Sequence, residues 1–111
     1  MTLVDHLPAD ALPAVVIFRR WGGNNGGDII ALFPEQPADY QGWFCDAYEH
    51  VGQHGGADYQ GVIQATKPVS IEDSQPLIQE LEHIGYVLRP LKRASYEHHE
   101  ARRAAAQNYR R

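Results

Sequence analysis

The chain has 111 residues, 43% of them hydrophobic and 22% charged, which is enough for one hydrophobic core and too few for two. A single cysteine excludes a disulfide-stapled scaffold, and no apolar run approaches the length of about 18 residues that a membrane-spanning helix needs. The net charge of −4 hides an asymmetry: through residue 88, three basic residues face twelve acids, whereas residues 89–111 hold seven basic residues against Glu97 and Glu100. An acidic body of this kind repels nucleic acid and suits a basic groove on a protein. The basic tail suits an acidic surface or a phosphate backbone.

Residues 1–13, MTLVDHLPADALP, carry Pro8 and Pro13 and little periodicity. They read as an irregular arm with at most a turn of helix before Pro13. Acids stand where a signal peptide would be basic, so this arm is not read as a leader, and the lone Cys45 points to the cytoplasm. AVVIFRRW predicts a strand over residues 14–21, and DIIALF a second over residues 28–33, stopping at Pro34. Between them lies GGNNGG. A phosphate-cradling loop needs Lys-Ser/Thr and a helix after its last glycine, but here Asp28 and a β-branched run follow. The glycines therefore read as the tip of a long hairpin, with Trp21, Asn24, Asn25 and Asp28 as candidate contacts for a partner.

PEQPADYQG is a loop by its prolines and glycine. WFCDAYEHV predicts a third strand, with Trp43, Cys45 and Ala47 on one face and Phe44, Tyr48 and His50 on the other. GQHGGAD reads as a further loop and YQGVIQAT as a fourth strand. A helix is predicted over about residues 71–84, with Ser70 as its N-cap and Asp73 three residues on. Leu77, Ile78, Leu81 and Ile84 supply its apolar stripe, and Gly85 its stop. Pro76 allows a later start. YVLRPLKR predicts a last strand, confined to an edge by Pro90. ASYEHHEARRAAAQNYRR combines helix formers with no proper apolar face, which predicts a helix that is mobile or held by a partner. The fold expected is α+β: an antiparallel sheet of four to five strands with one packed helix. The arm covers residues 1–13, the domain 14–93 and the basic helical or disordered tail 94–111.

Cys45, His50 and His54 form C-x4-H-x3-H, followed by Asp58, a spacing near that of zinc ligands. With one cysteine, no C-x2-C knuckle, and alternation that turns Cys45 and His50 to opposite faces, no metal and no other cofactor is expected. The same alternation keeps His50 and His54 from both facing Cys45, which reads as a small buried hydrophobe, and the protein reads as no enzyme. His50, Gln53, His54, Asp58 and Tyr59 are candidate partner-binding residues. Arg102, Arg103, Arg110 and Arg111 are candidate tail contacts, and direct nucleic-acid binding is confined to that tail.

The stretches RRWGGNNGGDIIALFPE, YEHVGQHGGADY and LRPLKR together resemble a family of short accessory proteins of phages, plasmids and integrative elements. The likeness spans roughly residues 15–93 and is most specific in GDIIALFPE and HVGQHGGADY. It carries over no catalytic residue. It implies a setting in which small proteins act by binding, including inhibition of host defences such as CRISPR–Cas. The function expected is a non-enzymatic binding protein that docks on a host protein or nucleoprotein complex with a basic surface. The alternative is an oligomer that sequesters a small molecule or nucleotide, with His50, Gln53, His54, Tyr59 and Arg19 or Arg20 lining a pocket between subunits. A metal-dependent hydrolase built on His50, His54 and Asp58 is a weaker third reading.

Overall fold

The computed structural model describes residues 13–22, 27–49 and 53–109. The β-branched run at the start forms β1 (Ala14–Trp21), which pairs antiparallel with β2 (Ile29–Pro37) from Ile17–Leu32 to Arg20–Ile29. Trp21 N–H donates to the Asp28 carbonyl at 2.9 Å and closes the base of the expected hairpin. Its tip, with Asn24 and Asn25, lies outside the described residues, as do the arm through residue 12, His50, Arg110 and Arg111.

β2 does not stop at Pro34. Its pairing with β3 (Cys45–Glu49) shifts register between Phe33 and Pro37, and that irregularity accommodates two prolines within the strand. β3 then pairs antiparallel with β4 (Gln53–Ala57), the segment expected to be a loop. The segment expected to be the fourth strand is instead a helix, α1 (Tyr59–Ala65), followed by the three-residue β5 (Thr66–Pro68). Tyr59 and Val62 are the buried residues of α1, and their three-residue spacing fits a helical face. β5 pairs antiparallel with the C-terminal half of β1. α2 (Gln75–Ile84) starts four residues later than expected, with Pro76 in its first turn, where a missing N–H costs nothing. Ser70 Oγ still accepts the Asp73 N–H at 3.0 Å, but it caps the turn before α2. Gly85, at φ 123°, ends α2, its N–H donating to Leu81 and Glu82 carbonyls.

β6 (Leu88–Pro90) pairs with the N-terminal half of β1, and it does so in parallel. The resulting sheet has the order β4-β3-β2-β1-β5, with β6 beside β1. α2 covers one face, packing Leu77, Ile78 and Leu81 on Val16, Phe18, Ala31, Phe33 and Tyr48. Ile84, expected in that stripe, is 50% exposed because it lies past the sheet contact. On the other face α1 packs Tyr59 and Val62 on Val15, Ile17, Ile30, Leu32, Cys45 and Ala47. The alternation foreseen for β3 holds for Cys45, Ala47 and Tyr48. Trp43 and Phe44 precede the strand and are exposed.

The C-terminal segment forms α3 (Tyr96–Tyr109), and it is docked. Ser95 N–H donates to His98 Nδ1 at 2.9 Å, the return bond of a capping box with histidine in place of the usual acid. Arg102 points into the fold, 6% exposed, with Nε donating to the Gly42 carbonyl and Nη1 to the Pro34 carbonyl, both at 2.8 Å. Ala106 is fully buried. Gly42 has φ 76°, and a side chain there would fall 2.9 Å from the Arg103 Cα, so this contact requires glycine. A polar anchor, not an apolar stripe, holds this helix.

Candidate functional site

α1 separates two clefts on its face of the sheet. The first, about 310 Å³, lies between α1 and the β3–β4 edge. Trp21, Ile30, Ala47 and Val62 give it an apolar floor and Glu49 a polar side chain, while His54 borders it from β4 with its ring turned to the other face of the sheet. The second, about 260 Å³, lies between the first turn of α1 and α3, where Trp43, Asp58, Gln60, Tyr96, His99 and Arg103 meet. Trp43 is 61% and Tyr96 72% exposed, and the Arg103 guanidinium carbon stands 5.7 Å from the Trp43 ring centroid.

The sequence candidates divide between these clefts. Trp21 and His54 share the first; Asp58, Tyr59, Arg102 and Arg103 reach the second. Asp28 is exposed at the base of the hairpin, and Gln53 opens β4. Three expected contacts have structural roles instead. Arg102 anchors α3 as described. Tyr59 is 5% exposed, and its hydroxyl accepts the Ala94 N–H at 2.7 Å. Arg19, assigned to a ligand pocket in the small-molecule alternative, binds the end of α1: Nε donates to Thr66 Oγ1 at 2.9 Å and Nη2 to the Thr66 carbonyl at 2.8 Å.

Behind β3 and β4, on the α2 side, an aromatic cluster joins strand to helix. Tyr48 and His54 meet edge to face at 4.6 Å between centroids, and Phe33 stacks on Tyr86 at 5.0 Å. The Tyr48 hydroxyl bonds Glu80 of α2, and Tyr86 Oη lies 3.3 Å from His54 Nε2. Burial raises the pKa of the Asp46 carboxyl, with the nearby His54 opposing it, and raises that of the Tyr86 hydroxyl. Cys45 is fully buried, and burial pushes its thiol up to about 11, which disfavours the nucleophilic thiolate. Among the described residues, no three His, Cys, Asp or Glu side chains gather to hold a metal ion.

Charge separates across the sheet. Residues 21–66, which supply β2, β3, β4 and α1, contain no lysine or arginine and six acids, with Asp46, Glu49 and Asp58 grouped around β4. Lys67 on β5, Arg89 on β6, and Lys92 and Arg93 just beyond are all exposed. Sequence reading located the overall asymmetry but gave Trp43 a place in a strand and Glu49 a solvated face, and took Tyr96 and His99 only as parts of the tail. The run of 46 residues without a lysine or arginine was the available signal for the acidic edge.

His99 gives this region a pH response. Its ring accepts a 2.7 Å bond from Arg102 at Nδ1, so the bonded form is neutral. Burial, then Arg102, Arg103 and His98, lower its pKa below the usual histidine value. The unfolded chain therefore binds this proton more readily than the folded one. The stabilising contribution is complete above the ordinary histidine pKa and is lost as pH falls below it toward the folded value. Urea midpoints should fall as pH drops from about 7.5 to about 5.5, and His99→Gln should flatten that slope. A slope unchanged in the variant would contradict the assignment.

Comparison of the chain with models of protein families, with curated proteins and with solved structures found no match. Among the described residues, no helix is long and apolar enough to cross a membrane.

Proposed function

We propose that this is a non-enzymatic binding protein that docks through its acidic β3–β4 side on a basic surface of a host protein or nucleoprotein complex. The carrying observation is the charge separation: the half of the sheet bordered by β4 has acids and no lysine or arginine of its own, while the opposite edge is basic. Such a distribution orients the molecule toward a basic groove and sets its association rate through long-range attraction. Tyr40, Trp43 and Phe44, exposed in the loop between β2 and β3, are residue types that anchor protein interfaces. An anti-defence role, with a CRISPR-type nucleoprotein as the inhibited complex, draws on the resemblance to accessory proteins of mobile elements. The nucleic-acid groove of such a complex is the kind of basic surface an acidic edge fits.

The sequestering alternative has less support from its own residues, because Arg19 caps α1 and Tyr59 is buried. The test is affinity capture from host lysate at increasing salt. Wild type is compared with a Glu49→Lys/Asp58→Lys variant and with Lys67→Glu as the control. The proposal expects a complex that weakens with salt, is lost on reversal at 49 and 58, and survives reversal at 67. A complex indifferent to salt and to the double reversal would contradict it.

A further inference from the structure

The two edges of the sheet are finished in opposite ways. β5 and β6 are three residues each, end in Pro68 and Pro90, and carry Lys67 and Arg89. Short length, proline and charge are the devices by which an edge refuses another strand. β4 has none of them. It is five residues, QHGGA, with no proline and no formally charged side chain, and Gly55 and Gly56 are exposed. Among the described residues no strand pairs with its outer side. A side chain built at Gly55 would meet nothing within 4 Å, so space on its sheet face is open. The first cleft runs alongside, its floor made by Trp21, Ile30, Ala47 and Val62.

We propose that β4 is a docking edge for an extended, cationic segment of a partner protein, which joins the sheet as an added strand. This rests on the reading of the acidic side as the contact side, and it names the form of the partner. Backbone N–H and C=O groups of β4 supply the pairing, as in strand-addition recognition generally. Because side chains alternate, every second residue of the segment faces the α1 side. There aliphatic stems meet the cleft floor, and lysine or arginine heads reach Glu49 beside the start of β4 and Asp58 beyond its end. The intervening residues lie over His54 and Asp46.

A second copy of this chain fits less well. Pairing β4 with its own symmetry mate brings Asp46, Glu49 and Asp58 toward the same acids of the mate. Pairing β4 with the opposite edge of another copy meets Pro68 and Pro90. Charge complementarity favours the cationic segment.

The test uses the isotopically labelled full chain and an acetylated, amidated peptide of alternating lysine and valine. Two further peptides carry N-methyl groups on alternate residues, one in each register. An added strand turns only alternate N–H groups toward β4. One methylated register should therefore bind like the parent, and the other roughly tenfold or more weakly. The parent should slow exchange of the outward-facing β4 amides by a similar factor. Equal binding of all three peptides would leave the basic-partner reading standing and overturn strand addition. So would binding that leaves β4 exchange unchanged, or no binding of the parent peptide. Slow exchange of every β4 amide in the free protein, or in a dimer seen by sedimentation, would show the edge already paired and overturn it as well.

Discussion

Arg102→Met is expected to lower the unfolding free energy by about 3 kcal/mol and to release α3 from the sheet. Arg102 is 6% exposed, and its charge is met by the Gly42 and Pro34 carbonyls at 2.8 Å and by His99 Nδ1 at 2.7 Å. Methionine fills much of the volume but donates nothing, so two buried carbonyls lose their partner. Leaving each unsatisfied costs about 1–3 kcal/mol. α3 has little else to hold it, since Ala106 is its one fully buried apolar residue among those described. Amide exchange along α3 should accelerate toward that of an isolated helix, which is marginal at this length. A loss below about 1 kcal/mol with α3 still protected would mean that apolar contact, not the guanidinium, holds the helix.

Arg19→Met is expected to cost a similar amount, about 3 kcal/mol, by unmaking the end of α1. α1 is seven residues with a glycine inside, no acid in its first turn and no base in its last. Its C-terminal carbonyls are finished from β1: Arg19 Nη2 donates to Ile63 and Thr66, and Nε to Thr66 Oγ1, which itself donates to the Val62 carbonyl. A cation at this position also opposes the negative end of the helix dipole. Arg19→Lys should recover only a small part of the loss, because one ammonium cannot reproduce the planar fork across the Thr66 side chain and both carbonyls. A lysine variant as stable as wild type would show that charge alone suffices.

The same two arginines mark where the sequence was hard to read. The β1–β2 hairpin was legible because a β-branched run is apolar on both faces. α2 was legible from Leu77, Ile78 and Leu81 at helical spacing, with Gly85 as a stop. The exchange of strand and helix between residues 53 and 65 has two causes. QHGGA has no strand propensity and owes its conformation to pairing with β3, while Val62 and Ile63 imitate a strand inside α1. The docked α3 escaped notice because its anchor is an arginine, and apolar periodicity does not register polar anchors. The candidates named from the sequence fall into two separate clefts. Trp21 and His54 share one cleft, and Asp58 and Arg103 the other. Trp43 was misplaced because Asp39 Oδ1, accepting the Phe44 N–H at 3.1 Å, turns the chain before β3 begins. The acidic edge itself depends on which strands are neighbours, and topology is a tertiary fact.

A partner docked on the acidic β4 side lies against His54 and away from Lys67 on the opposite edge. A photo-crosslinking amino acid placed at His54, and separately at Lys67, tests this placement in host lysate. Discrete protein adducts are expected from position 54, diminished by salt, and none of comparable yield from position 67. Adducts from 67 alone, or none from either position while native mass spectrometry finds an oligomer carrying a small ligand, would contradict it.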